Sequence, residues 1–248
     1  MVSPTWLRKA VRAVGLGVIC LSCTLTAWSD DTARPQVVIS TSMGDLVVEL
    51  EQERAPQTVE NFLQYVDDGF YEQTLFHRVI EGFMIQGGGF STQYQRKTTR
   101  PPVSNEAYNE LSNLRYTIAM ARTNAPHSAT SQFFINSVDN INLDHTDTSQ
   151  RGWGYTVFGK VIKGQDVVDA ISRVRTGSGG PFSRDVPAEP VVILNVDRVA
   201  SVPVAQPAAN IPAPGNTMGS PADAPKSIKT DLDPKRPQAI QSMPVEQN

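Results

Sequence analysis

The sequence predicts a mainly β domain in which short antiparallel strands form a barrel. Short apolar runs with strand character recur through residues 37–199, and two isolated segments have helical periodicity. Residues 201–248 differ from everything before them, because they hold 9 of the 18 prolines and no aromatic residue. Many short strands accompanied by only two helices favour a barrel, with the last segment outside it.

The predicted strands are bounded by turn residues and rich in β-branched side chains. The first two flank Ser-Met-Gly-Asp at residues 42–45, which indicates a hairpin turn. Further short strand segments are indicated around Phe76, Val79 and Ile85. The longer strand-like runs lie at residues 37–39, 46–50, 115–120, 132–135, 156–161 and 191–199.

Two segments have the apolar spacing of helices that bury one face. The first places Val59, Phe62, Leu63 and Val66 on one side. Pro56 suits its first turn and Gly69 its end. The second is predicted over residues 166–174. We expect the first helix to plug one end of the sheet or barrel.

Both ends of the chain are predicted to lie outside the folded domain. Residues 1–29 combine a basic start, an uncharged stretch over 13–27 and a small-x-small site at Ala27-Trp28-Ser29, which indicates a secretory signal peptide. The alternative is a membrane anchor, although a span needs about 20 apolar residues. Residues 30–36 form a linker, and the proline-rich residues 201–248 are predicted to be disordered.

Composition excludes several classes of function. The net charge of −3 and the lack of a long basic run argue against nucleic-acid binding. Both cysteines, Cys20 and Cys23, fall in the predicted signal, so the exported chain would have neither a disulfide nor a thiol nucleophile. A lipid-attached Cys23 is a weaker alternative. The glycines at 87–89 lack the lysine and the helix of a phosphate-binding loop.

The remaining polar residues do not form a familiar metal or nucleophile site. His77, His127 and His145 lack metal-ligand spacing. No Gly-x-Ser-x-Gly elbow is present in the sequence. We therefore expect neither a metal nor a cofactor, and we interpret His77 as a structural residue.

Two longer motifs carry the functional prediction. Residues 76–90 read Phe-His-Arg-Val-Ile-Glu-Gly-Phe-Met-Ile-Gln-Gly-Gly-Gly-Phe, and residues 120–135 read Met-Ala-Arg-Thr-Asn-Ala-Pro-His-Ser-Ala-Thr-Ser-Gln-Phe-Phe-Ile. Together they resemble the cyclophilins, the peptidyl-prolyl cis–trans isomerases, and most closely the bacterial branch. The resemblance covers residues 37–199. It implies a closed eight-stranded antiparallel barrel capped by two α-helices, within a domain of residues 37–200.

The resemblance also implies a reaction. Rotation about a peptide bond has a barrier of about 18–20 kcal/mol, and X–Pro bonds exchange over tens to hundreds of seconds. A catalyst that stabilises the twisted amide better than the planar one needs no covalent step. Arg78 stands at the family's catalytic arginine and would donate to the prolyl nitrogen or the adjacent carbonyl. Gln86 would orient Arg78 and bond substrate backbone.

The resemblance assigns the substrate-binding residues as well. The walls of the proline pocket would be Phe83, Met84, Phe134 and Leu143, although these four could equally be ordinary core. Gln132 would line the groove, and the backbone around Arg122 would pair with the substrate as a short strand. Tyr155 falls where many eukaryotic members have histidine. Asn142 replaces the usual tryptophan, which puts cyclosporin affinity in doubt.

The prediction is therefore an isomerase, or rotamase, that acts in the periplasm or after secretion on proline-containing unfolded or flexible polypeptides. We expect a monomer with no membrane span in its exported form and weakened cyclosporin binding. The first alternative is a cyclophilin-like module that binds proline-containing segments as a chaperone or scaffold without required turnover. The second is a barrel that carries a small hydrophobic ligand, which would need a hollow interior.

Overall fold

The computed structural model describes residues 34–199. The strands are β1 (Gln36–Thr41), β2 (Gly44–Leu50), β3 (Thr74–Leu75), β4 (Arg78–Ile80), β5 (Met84–Gly87), β6 (Thr117–Met120), β7 (Phe133–Asn136), β8 (Val157–Lys163), β9 (Thr176–Gly179), β10 (Phe182–Pro187) and β11 (Val192–Arg198). The helices are α1 (Pro56–Asp67) and α2 (Gln165–Ser172), and a 3₁₀ turn spans Ile141–Leu143. The predicted signal peptide and the predicted disordered segment lie outside the described residues.

Nine of these strands form one antiparallel sheet in the order β3-β11-β1-β2-β8-β6-β7-β5-β4. The mainly β prediction with two α-helices is confirmed. The resemblance implied eight strands, whereas the described sheet has nine, two of which are the short strands β3 and β4. These two strands, β3 and β4, stand at opposite ends of the strand order although only Phe76 and His77 separate them along the chain.

The first hairpin follows from local chemistry. β1 and β2 pair around the turn that begins at Ser42, and Gly44 supplies a φ of +129° that side-chain-bearing residues rarely adopt. Alternate residues of both strands are fully buried, whereas those between them are partly exposed. The buried set is Val37, Ile39, Leu46, Val48 and Leu50.

Helix α1 packs into the same core as this buried face. The four apolar residues predicted for its inner side are all buried. The ring of Phe62 packs within 5.2 Å of the rings of Tyr71 and Phe158 and 5.8 Å from that of Phe133. Gly69, with a φ of +61°, follows the end of the helix as predicted. Helix α2 adds Val168 and Ile171 to the same core.

A loop distant in sequence completes the N-terminus of α1. Ala55 precedes the helix and offers no side-chain cap. Instead, the buried carboxylate of Glu106 accepts hydrogen bonds from the backbone N–H groups of Gln57 at 3.2 Å and Thr58 at 2.9 Å, and from the Thr58 hydroxyl at 2.7 Å. These are the groups that a helix leaves unpaired in its first turn. The contact therefore fixes the loop around Glu106 against α1.

The ribbon of β9 and β10 was not predicted. Its residues read Thr-Gly-Ser-Gly-Gly-Pro-Phe from 176 to 182, without the apolar alternation that marks a half-buried strand. Phe182 fixes the ribbon to the domain, because its ring packs 5.1 Å from that of Phe90 and 5.5 Å from that of His77. The ribbon thereby lies next to β4, the strand that carries Arg78.

Between residues 34 and 199, neither helix has the length and apolar character that crossing a bilayer requires.

Candidate active site

Arg78, Gln86 and Gln132 form a row of polar side chains along one edge of the sheet. Arg78 on β4 lies directly opposite Gln86 on β5 in the antiparallel register, which places both side chains on one face. The Arg78 Nη1 donates to Gln86 Oε1 at 3.4 Å, and Gln86 Nε2 donates to Gln132 Oε1 at 2.9 Å. The Arg78 side chain is only 14% exposed. Its charge is thus held at a defined place near the protein surface.

The four apolar residues predicted for the pocket lie in one small cluster that is separate from the main core. Met84 and Phe134 are fully buried and form its base, and Leu143 is nearly so. Phe83 is partly exposed. The cluster is not part of the main core, and its role as a proline pocket stays a prediction.

Tyr155 lies at the edge of this apolar cluster, where it contacts both the cluster and the guanidinium of Arg122. Its ring packs edge-on against Phe134 at 5.7 Å, and its backbone N–H donates to the Leu143 carbonyl at 2.9 Å. The guanidinium of Arg122 lies over the Tyr155 ring, 4.6 Å from its centre. Burial raises the pKa of Tyr155 and lowers that of Arg122. At neutral pH the pair is a neutral phenol beneath a cation.

The side chain of Arg122 is engaged by backbone carbonyls. Its Nε donates to the Gly154 carbonyl at 2.8 Å, and its two Nη atoms donate to Thr123 at 2.9 Å and Gln150 at 3.0 Å. These bonds join the segment after β6 to the loop before β8. Because β6 ends at Met120, the Arg122 backbone lies beyond the regular ladder, and its pairing with substrate stays a prediction.

Asn142 lies in the 3₁₀ turn at the border of the apolar cluster. Leu143 points into the cluster, whereas Asn142 and Ile141 are exposed. The buried Asn140 fixes this turn, because its Nδ2 donates to the Phe83 carbonyl at 2.9 Å and to Asn136 Oδ1 at 2.7 Å. These buried asparagines were missed in the sequence, where asparagine near a turn indicates only the turn.

The family follows from a direct comparison. The family model for the cyclophilin type peptidyl-prolyl cis-trans isomerase/CLD matches residues 36–198. The chain belongs to this family.

Bacterial cyclophilins are close in sequence. The chain is 59% identical over 157 residues to the peptidyl-prolyl cis-trans isomerase cyp18 of Streptomyces antibioticus, covering 63% of this chain and 94% of the relative. It is 50% identical over 187 residues to peptidyl-prolyl cis-trans isomerase A of Dickeya dadantii, covering 75% and 96%. It is 54% identical over 160 residues to peptidyl-prolyl cis-trans isomerase B of Escherichia coli, covering 64% and 97%.

Solved structures agree with the family. A crystal structure of a cyclophilin type peptidyl-prolyl cis-trans isomerase of Cryptosporidium parvum is similar with a TM-score of 0.56 and 27% identity, covering 68% of this chain and 99% of that one. A second structure of that isomerase, determined in the presence of the dipeptide Ala-Pro, has a TM-score of 0.55 and 27% identity, covering 66% and 99%.

One charged neighbour of Arg78 in this cyclophilin was missed in the sequence. Asp185 on β10 places its Oδ2 3.8 Å from the Arg78 Nε. The two residues are far apart in sequence, and the ribbon that joins them in space has no apolar pattern. A lone aspartate in a polar segment gives no local signal of such a contact.

His77 of this cyclophilin is buried directly beside Arg78. Its ring centre lies 4.7 Å from that of Phe90 and 5.5 Å from that of Phe182. Burial away from water lowers the pKa of His77 to about 4, and the positive charge of Arg78 acts in the same direction. His77 is therefore uncharged at neutral pH, which agrees with the structural role expected from the sequence.

Proposed function

We propose that the surface formed by Arg78, Gln86 and the apolar cluster catalyses cis–trans isomerisation of X–Pro bonds without covalent chemistry. One observation carries the proposal: the guanidinium of Arg78 is bonded to Gln86, and Gln86 lies opposite Phe134 of the small apolar cluster in the strand register. Family membership supports the isomerase activity itself. The polar row and the apolar cluster match the two needs of the reaction, which are a donor for the twisted amide and a dry site for the proline ring.

The donor acts on the amide as it twists. When conjugation is lost, the prolyl nitrogen becomes pyramidal and basic, and a fixed hydrogen-bond donor stabilises that state more than the planar one. Arg78 suits this task because its guanidinium is always charged and carries five donors. Gln86 holds it from one side, and Gln132 holds Gln86 in turn. Preorganised donors of this type need no rearrangement at the moment of reaction.

The apolar cluster would receive the proline ring. Phe83 and Tyr155 are partly exposed and pack against the cluster that contains the buried Met84 and Phe134, so a proline ring placed against them would contact apolar surface. The dipeptide Ala-Pro in the Cryptosporidium structure supports recognition of a short X–Pro unit. Among residues 34–199, no group of three or more His, Cys, Asp and Glu side chains is arranged to hold a metal ion.

We further propose that the sheet closes into a barrel and that the substrates are exported polypeptides. The two end strands of the sheet, β3 and β4, are consecutive in the chain, which supports closure at His77. The basic, then uncharged, first 29 residues support export to the periplasm or beyond. The substrates would be unfolded or flexible chains that contain proline, bound by a monomer.

The alternative function is a module that binds proline-containing segments as a chaperone without turnover. The position of Arg78 favours the enzyme, because binding a planar proline needs the apolar cluster but not a donor to the twisted nitrogen. An assay of proline-limited turnover of a short X–Pro peptide by residues 30–248 separates the two. Acceleration above the uncatalysed rate supports the isomerase. Saturable peptide binding without acceleration supports the binding module.

We expect the exported chain to begin near Asp30 and residues after Ser201 to be unnecessary for catalysis. The family match ends at residue 198, and the last strand, β11, ends at Arg198. Mass spectrometry of the exported protein measures the first point, and kcat/KM of a chain stopped at Ser201 measures the second. An intact N-terminus contradicts the first expectation, and a large loss of activity on truncation contradicts the second.

Asn142→Trp is expected to strengthen cyclosporin binding by about ten- to a hundredfold. Burial of an aromatic side chain contributes roughly 1.5–3 kcal/mol, and each 1.4 kcal/mol is a factor of ten in Kd. The exposed position of Asn142 beside Leu143 leaves room for an indole at the edge of the cluster. Peptide turnover should change much less, because Arg78 and the cluster are retained.

Ile141→Trp is the matched control for the choice of position 142, since Ile141 is 61% exposed on the same turn. Fluorescence titration of cyclosporin into the wild type and both variants gives the three Kd values. Tight binding by the wild type, or a gain only in Ile141→Trp, would assign the drug-binding position to a residue other than Asn142.

A further inference from the structure

Asp185 contacts the arginine on which the proposed function depends. Its Oδ2 lies 3.8 Å from the Nε of Arg78 and 3.6 Å from the Nε of the neighbouring Arg184. The Asp185 side chain is 24% exposed and that of Arg78 is 14% exposed, whereas Arg184 is 61% exposed. Solvent therefore screens the Arg184 contact more than the Arg78 contact. The half-buried partner of Asp185 is Arg78.

The backbone of Asp185 is held in an unfavourable conformation. Its φ is +66°, in the left-handed region that residues with a side chain adopt uncommonly, although asparagine and aspartate do so more often than the others. It also lies where the regular β9–β10 register breaks, between the pairs Phe182–Gly179 and Val186–Gly177. Bulges of this kind redirect side chains and are frequent next to active sites. Such strain persists only when the surrounding structure imposes it.

The residues on both sides of this register break impose the backbone conformation of Asp185. Phe182 packs on the rings of His77 and Phe90. His77 directly precedes Arg78 in the chain, and Phe90 follows Gln86. Val186 and Pro187 are buried on the other side of Asp185. The ribbon is thus anchored at two points, and the short segment between them turns the Asp185 carboxylate towards β4.

We infer that Asp185 is a positioning residue that fixes the plane of the Arg78 guanidinium for the twisted amide. This inference rests on the proposed function. Gln86 accepts a hydrogen bond from Arg78 Nη1, and the Asp185 carboxylate forms an ion pair on the Nε side, at 3.8 Å. Contacts at different nitrogens restrict the orientation of a planar group, and removing one of them widens the range of orientations that the group can take. The strained ribbon is the structural means by which the second contact is supplied.

Two substitutions separate this role from a role in stability. Asp185→Asn removes the charge but keeps the shape and the tolerance of asparagine for positive φ. Asp185→Gly removes the side chain and relieves the strain, so its Tm should stay close to that of the wild type, since the relief offsets the larger conformational entropy that glycine loses on folding. Both variants should nevertheless lower kcat for an X–Pro peptide on the order of tenfold, with a smaller change in KM, because a misplaced catalytic group slows the reaction.

Gln73→Gly is the matched control. Gln73 is exposed, has a φ of +54° and lies in the turn before β3, outside the proposed site. Gln73→Gly should also relieve backbone strain, and its kcat should equal that of the wild type. The Arg78 Nε–Hε signal in ¹H–¹⁵N NMR provides an independent measurement: its exchange with solvent should accelerate in both Asp185 variants and stay unchanged in Gln73→Gly.

Different results would contradict the positioning role of Asp185 and the catalytic role of Arg78. Wild-type kcat in both Asp185 variants, or lower kcat with an unchanged Arg78 signal, overturns the positioning role. In an Arg78→Ala background, Asp185→Asn should have no further effect, and a further loss of similar size would show that Asp185 acts independently of Arg78. Full activity in Arg78→Ala alone would instead overturn the proposed function.

Discussion

Arg78→Ala is expected to lower kcat/KM for a short X–Pro peptide by about 10²–10³-fold, which is the usual cost of removing a preorganised donor. The loss should appear in kcat, because the apolar cluster that binds the ring stays intact. The fold should survive, since Arg78 lies at an edge strand and is not part of either apolar cluster. Proline-limited turnover at several substrate concentrations, with circular dichroism and Tm for the fold, gives these values.

Two further variants make the test specific. Arg54→Ala removes an exposed arginine before α1 and controls for the change in net charge. It should retain wild-type turnover. Arg78→Lys keeps the charge but loses the planar fork that Gln86 and Asp185 contact, so its activity should lie between those of the wild type and Arg78→Ala. Wild-type turnover by a folded Arg78→Ala protein would exclude the arginine from the mechanism.

The regular part of the fold was predictable because its signals are local. The first hairpin carries a turn motif between alternating strands, and α1 carries a proline, an apolar stripe and a terminal glycine within 14 residues, 56 to 69. Each signal depends on neighbours in sequence, where backbone conformation and burial are decided together. The β9–β10 ribbon lacks such a signal, because its stability comes from Phe182 packing on rings near residues 77 and 90.

The candidate site likewise has one part that local sequence predicts and one part that it does not. Arg78 and Gln86 lie within one motif and on two adjacent strands, so a resemblance over that motif was enough to place both. Asp185 and the buried Asn140 act across long sequence separations through a bulge and a 3₁₀ turn. Their contacts depend on which distant segments of the chain the fold brings together. A polar residue in a polar segment gives no local sign of these contacts.

His77 should make the stability of the domain depend on pH above the range where carboxylates titrate. The unfolded imidazole binds a proton below pH of about 6.5, whereas burial holds the folded pKa at about 4. Between these values the unfolded state binds the extra proton, so stability falls as the pH is lowered. The expected loss of unfolding free energy is roughly 2 kcal/mol between pH 7.5 and 5. Below pH 4, Asp67 and Asp169, whose pKa values are lowered by hydrogen bonds from Arg198 and Arg115, add to the loss.

Urea unfolding at pH 7.5, 6 and 5 measures this dependence, and two variants assign it. His77→Phe places an apolar ring between Phe90 and Phe182 and should make the stability nearly constant over this range; His77→Gln provides a second uncharged replacement if the larger ring is not accommodated. An unchanged slope in the His77 variants would show that a group other than His77 takes up the proton. The buried imidazole next to Arg78 would then tolerate its proton in the folded state, and the neighbouring residues 77 and 78 would both be charged at acidic pH.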